Sequence, residues 1–212
     1  MKSIILKPEE VRGLLDGTRT QLRRLVKPQP KQKETAFNGL GWEYMDYPVI
    51  NKLNKRLFVL EDKFKNHLLN FSLFSPGDRL WVKEAWRFAY GLSSDGLQII
   101  YKESHDEIGK VVPKKFEHKI PKYAESKWRP PSSMFRWASR LTLEVKRVWV
   151  HRIQEILECD MQKEGLNWSY SGFDPDDNGN PDELFKDYWQ SLYPGSWERN
   201  DWVFAAQVEV AR

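Results

Sequence analysis

The sequence predicts an α+β fold: a small β-barrel with short flanking helices and two polar insertions. Three observations predict it. Strand-like runs recur at 79–88, 97–102, 140–150 and 202–210, rich in Val, Ile, Trp and Phe. Helical stripes are few and short, near 8–16, 153–165 and 181–192. Residues 31–55 and 105–126 are polar and carry Pro and Gly or charge runs in place of either period. A strand, a helix and then mostly strands make a layered α+β order whose strands can close a small barrel. The 212 residues fit one domain with insertions, or at most two small ones. The reading taken is a single domain over 1–212 with insertions at about 31–55 and 105–126.

Residues 3–6 read as a first strand. Pro8 then opens a helix at its first position, where a missing N–H costs nothing, and Glu9 and Glu10 suit the positive end of the helix dipole. Val11, Leu14 and Leu15 form its apolar stripe, and Gly17 stands where a left-handed cap belongs. The following "TRTQLRRLV" reads as extended. Thr18, Thr20, Leu22, Arg24 and Val26 share one face; Arg19, Gln21, Arg23 and Leu25 share the other. "RLFVL" reads as a further strand. Pro76 and Gly77 turn into a strand over 79–88, and "LQIIYK" pairs with it as a hairpin. "IQEILECDMQKEG" reads as a short amphipathic helix ending at Gly165. Asn180 caps a last helix that starts at Pro181 and buries Phe185, Tyr188, Trp189 and Leu192.

The net charge of +4 hides an asymmetry. Between 17 and 28 stand Arg19, Arg23, Arg24 and Lys27 with no acid. Residues 127–152 hold seven Lys or Arg against Glu144 alone, and 155–199 hold eleven acids against three bases. Two basic blocks and one acidic block predict a dipolar surface that meets a polyanion on one side. The chain has ten Trp. Each indole N–H wants an acceptor, so some of these rings should line a cleft or rim. The lone Cys159 excludes an internal disulfide and fits a reducing cytoplasm. The apolar run at 4–6 is too short for a signal peptide or a membrane span, so a soluble cytoplasmic protein is expected.

Within 79–88, Leu80, Val82, Glu84, Trp86 and Phe88 share one face by period two. If that face is inward, Glu84 is a buried acid that needs a partner, and Arg24, sharing its face with Leu22 and Val26, is the expected one. The alternatives are a purely structural salt bridge, or a register that turns Glu84 to solvent. The stretch "KWRPPSSMFRWASR", 127–140, interleaves Lys127, Arg129, Arg136 and Arg140 with Trp128 and Trp137. Rings that stack bases beside cations that meet phosphates are what a single-stranded nucleic-acid groove uses; an ordinary basic loop with two core tryptophans is the other reading. "DPDDNGNPD" imitates a calcium loop but has Phe185 where the twelfth position needs a bidentate Glu, so it reads as a turn. His67, His105, His118 and His151 lack ligand spacing, and no metal or cofactor is expected.

Gly17 to Pro30, Pro76 to Trp86, Lys127 to Val145 and Trp197 to Val208 together resemble the ASCH domain of the PUA-like superfamily, in its phage and prophage form. The resemblance spans nearly the whole chain and rests on a G-x-K-x-x-T-x-R segment, "PGDRLWV-E-W", "KWRP---M-RWASR-TLEV" and a C-terminal "W----WV". It implies a small β-barrel with a cleft beside the first segment, and RNA or nucleotide binding. Some small members hydrolyse acetylated cytidine with the motif's lysine and threonine and a downstream glutamate, and another resembles a ribonuclease. Gly17 and Arg24 match the motif, but Arg19 stands at the lysine position and Leu22 at the threonine position; the glutamate falls on Glu164. Leucine has no nucleophile, and arginine does not serve as a base as a tuned lysine can.

The leading expectation is therefore a nucleic-acid-binding module for RNA or a modified nucleotide, in a bacterial or phage-infected cell. Arg19, Arg23, Arg24, Lys127, Arg129, Arg136 and Arg140 would supply charge, and Trp86 and Trp137 would supply stacking. A hydrolase would need Glu164, Glu84 and Lys83 as its acid–base groups. A third reading is an accessory protein that binds a host protein through the acidic C-terminal region.

Overall fold

In the computed structural model, the described residues are 1–34, 40–44, 57–59, 65, 66, 68–90, 97–103, 110–117, 127–166 and 180–211. The fold is mixed α+β. The chain divides into two compact units. One comprises Met1–Thr20, Gly77–Lys146 and Val208–Arg212; the other comprises Gln21–Pro76 and Arg147–Gln207.

In the first unit, β1 (Lys2–Ile5) pairs in parallel with β6 (Arg79–Lys83), and β6 pairs antiparallel with the start of β10 (Thr142–Arg152). The end of β11 (Trp202–Val210) lies next to β10, where the Ala211 N–H donates to the Thr142 carbonyl at 2.7 Å. A second sheet orders β7 (Trp86–Tyr90), β8 (Leu97–Tyr101) and β9 (Lys110–Val111), the first two as the expected hairpin. Its core packs Trp86, Phe88, Ile99, Tyr101, Met134 and Ala138. In the second unit, β2 (Gln21–Leu25) pairs antiparallel with the first part of β11, whose other neighbour is the end of β10. That unit also holds a sheet of β3 (Lys31–Glu34), β4 (Leu40–Tyr44) and β5 (Leu57–Val59). Its cores form around Val26, Leu68, Trp202 and Phe204, and around Ile153, Met161, Phe185 and Trp189. β1 is the outer strand in the first unit and β2 in the second, and no pairing among the described residues closes a barrel.

The helices follow their local signals. α1 (Pro8–Asp16) starts on its proline and stops at Gly17, whose φ of 79° is the left-handed cap. α2 (Lys114–Glu117) is a single turn in the first unit. α4 (Pro181–Leu192) is capped by the Asn180 side chain, which accepts from the Asp182 N–H at 3.0 Å. The expected helix over 153–165 is shorter: Ile153–Glu155 forms a 3-10 turn, and α3 spans only Glu158–Lys163. Ile153 and Ile156 are both buried, and the turn serves that packing while breaking the α pattern.

The expected single strand over 79–88 is two strands, β6 and β7, which join different sheets. Burial nevertheless alternates without a break, with Leu80, Val82, Glu84, Trp86 and Phe88 all inside. The sequence period is therefore blind to the change of sheet at Glu84 and Ala85. Of the two insertions, 31–55 contributes β3 and β4, and 105–126 contributes β9 and α2 with Val112 and Pro113 between them; their remaining residues lie outside the described ones, as does most of the calcium-like loop. No helix among the described residues is long and apolar enough to cross a membrane.

Gly13 fixes the path of the chain just after α1. Its carbonyl accepts from the Arg19 N–H at 2.7 Å, and a Cβ on it would lie 2.8 Å from the Arg19 Cβ. Alanine there would gain helix propensity, but the clash is with a stiff part of the neighbouring chain. Gly13→Ala is expected to destabilise the protein by about 1–3 kcal/mol in urea unfolding; an unchanged or raised midpoint contradicts this close approach.

Candidate functional site

β2 in the second unit is buried on both faces. Leu22 and Val26 are wholly inside on one face, while Gln21 and Arg23 are buried at 4% and 1% exposure on the other. The strand thus turns Arg23 inward to a set of polar groups. Its Nη1 donates to Glu164 Oε1 at 2.6 Å, and its Nε donates to His151 Nε2 at 3.3 Å. Nη2 lies 3.6 Å from Asp160 Oδ2. Gln21 Nε2 donates to Asp160 Oδ1 at 2.9 Å, and Lys163 Nζ reaches the same oxygen at 3.2 Å. α3 supplies Asp160 and Lys163, Glu164 follows at its C-cap, and β10 supplies His151. Burial lowers the His151 pKa to about 4, and the Arg23 charge pushes the same way, so the imidazole is neutral and can accept from Arg23. Burial raises the Asp160 pKa, but bonds from Gln21 and Lys163 and the charge of Arg23 outweigh it and leave the net shift downward.

In the first unit the buried acid is Glu84, as its period predicted, at 3% exposure. Its partner is Arg140. Nε and Nη2 of Arg140 donate to the two carboxylate oxygens at 2.8 and 2.7 Å, a bidentate fork. The same guanidinium lies over the Tyr101 ring at 4.4 Å, and the Tyr101 hydroxyl donates to the Ala138 carbonyl at 2.6 Å. Burial, with a contribution from Glu84, raises the Tyr101 pKa against the opposing charge of Arg140.

Beside this pair, residues 127–140 form two short 3-10 turns, Pro131–Ser133 and Arg136–Ala138, pinned from below by buried Met134 and Ala138. Mutual hydrogen bonds between Trp86 and Arg129 backbones tie the loop to β7, at 3.3 and 2.8 Å. Its outer side carries aromatic rings. Trp128 is 45% exposed with the Arg87 guanidinium 5.1 Å from its centroid, and Phe135 is 52% exposed. Phe116, Trp137 and Phe135 form a parallel run, with centroids 4.7 and 5.8 Å apart and interplanar angles of 9° and 10°. Lys115 lies over Phe116, and Lys127 and Arg136 are exposed.

The sequence-predicted residues fall into these places unevenly. The fully buried arginine of β2 is Arg23, while Arg24 is only half-buried; alternation names two faces without saying how deeply each is covered. Arg24 donates from Nη1 to the Arg23 carbonyl. Glu84 therefore meets Arg140, from its own unit, in place of Arg24. Arg19 is 3% exposed and lies 3.7 Å from Glu10, which also accepts from the Lys7 N–H. Trp86 is wholly buried, edge-on to Phe88 and with Arg129 over its ring, and so has no face open to a base. Lys83 Nζ reaches the Ser132 carbonyl at 3.4 Å and lies over Trp81. Gln21, His151 and Asp160 carry no sequence signal of their own. Trp128 and Phe135 do, since each adjoins a cation within the interleaved stretch. Compared with family models, curated proteins and solved structures, the chain matches none.

Two stability outcomes follow from these pairs. Glu164→Ala strands a guanidinium with no exposure and should cost about 3–5 kcal/mol, whereas Glu84→Ala leaves Arg140 at the surface edge and should cost about 1–3 kcal/mol. Urea unfolding of both variants checks the order, and equal or reversed losses contradict it. His151 takes up its proton near 6.5 when unfolded but only near 4 when folded. The unfolded state therefore binds more protons between those values, and stability falls as pH drops through that window, by about 3 kcal/mol in all. The loss should shrink in His151→Gln, which keeps an acceptor for Arg23 but does not titrate; identical pH profiles would contradict the assignment.

Proposed function

We propose that this chain is a binding module for single-stranded RNA or a modified nucleotide, built as an ASCH-type, PUA-like barrel protein. The observation that carries the reading is the outer side of residues 127–140: two exposed rings, Trp128 and Phe135, set among Arg87, Lys127 and Arg136. Unpaired bases offer faces to such rings, and a duplex offers them only at its ends. Trp128 holds a cation over its ring, and its 45% exposure leaves ring surface for a base. Phe135 ends a parallel ring run that a base can extend. The cations beside them meet phosphates without reading sequence. The motif residues Gly17 and Arg24, with "PGDRLWV" and "RWASR", support the ASCH assignment. The carboxylates that a hydrolase would call on, Glu84 and Glu164, each already hold a guanidinium, so binding is the better-supported reading.

The test is fluorescence anisotropy with labelled single-stranded RNA, single-stranded DNA and duplex across a salt series. Single strands should bind best, with affinity that falls steeply as salt rises. Trp128→Ala and Phe135→Ala should each lose about 1–3 kcal/mol of binding, and Lys127→Ala should reduce the salt slope by about 1. Absence of binding at low salt, or affinity indifferent to both ring substitutions, overturns the proposal.

A further inference from the structure

We propose that Asp160 plugs a phosphate site formed by Gln21, Arg23 and Lys163, and that an incoming phosphate group displaces it. The site lies wholly in the second unit and does not rest on the single-strand reading. Three donors converge on the Asp160 carboxylate, and they fit it unevenly. Gln21 Nε2 is at 2.9 Å and Lys163 Nζ at 3.2 Å, both on Oδ1. Arg23 Nη2 stands 3.6 Å from Oδ2, beyond hydrogen-bonding distance. It is buried and has no hydrogen-bond acceptor among the described residues, although the Nε and Nη1 of the same guanidinium are well used. Leaving such a donor unmet is costly. A larger oxyanion can meet it where a carboxylate fixed to α3 does not.

Asp160 is also the member that can leave. Its side chain is 19% exposed and that of Lys163 is 49%, while Arg23 has none and Glu164 has 3%. With Asp160 in place, Arg23 and Lys163 are balanced by Asp160 and Glu164. With Asp160 turned to water, one positive charge remains, which suits an anion. Gln21 Oε1 narrows the ligand class. This acceptor is buried and receives no hydrogen bond from the described residues. A phosphate that retains a proton can donate to it from P–OH while its other oxygens accept from Arg23 and Lys163. Sulfate and carboxylate at neutral pH have no such hydrogen.

The experiment is isothermal titration of the full chain with inorganic phosphate, sulfate and acetate as separate arms, at constant ionic strength and neutral pH. The proteins are wild type, Asp160→Ala, Asp160→Asn and Asp160→Ala/Lys163→Ala. Asp160→Ala should bind phosphate at least tenfold more tightly than wild type, and the added Lys163→Ala should remove most of that gain. Asp160→Asn keeps an acceptor for Gln21 and serves if the alanine variant does not fold; it should show a smaller gain. Phosphate should exceed sulfate and acetate. A folded Asp160→Ala or Asp160→Asn with no gain overturns the plug, and sulfate binding as tightly as phosphate overturns the assigned ligand class.

Discussion

A guanidinium with no exposure has to be met by acceptors, and Arg23 imposes that demand on everything around it. It draws Glu164 and Asp160 from the end of α3, donates to His151 on β10, which burial and then the Arg23 charge keep neutral, and shares the Asp160 carboxylate with Gln21. The 3-10 turn at Ile153–Glu155 and the shortness of α3 make sense in this light. They bring Asp160 and Glu164 onto the inner side of β2 while Ile153, Ile156 and Met161 fill the core with Phe185 and Trp189. The first unit repeats the same rule on a smaller scale, with Glu84 inside and Arg140 forked onto it.

These pairs change what the charge pattern means. The arginines of 17–28 form a basic block in the sequence, yet Arg19 faces Glu10, Arg23 holds Glu164, and Arg24 donates to a neighbouring carbonyl. A charge run becomes a surface only where no carboxylate folds onto it. Residues 127–140 keep more of their charge outside: Lys127 and Arg136 are exposed, and the rings between them are half open to water. Net charge and block counts treat the two segments alike, and burial separates them.

Much of the fold was legible because its signals are local. Pro8 and Gly17 bracket α1, Asn180 and Pro181 start α4, and β10 and β11 follow runs of β-branched and aromatic residues. The burial of Glu84 was legible too, since four apolar neighbours at period two leave it nowhere else to point. Its partner was not, because Arg140 is 56 residues away and no spacing encodes that meeting. The burial of Arg23 was not legible for a related reason: Leu22 and Val26 announce a buried face, and nothing in alternation announces a second one behind it. The α+β class therefore followed from the sequence, while the pairing of each buried charge depended on tertiary packing.

The central claim is that the second basic segment, and not the first, meets the nucleic acid. Ultraviolet cross-linking of the wild-type protein to single-stranded RNA carrying 4-thiouridine, followed by mass spectrometry of the linked peptides, tests it most directly. Cross-links confined to residues 127–140 and the adjoining β7–β8 hairpin are the predicted result, whereas cross-links concentrated in residues 17–28 would contradict the account.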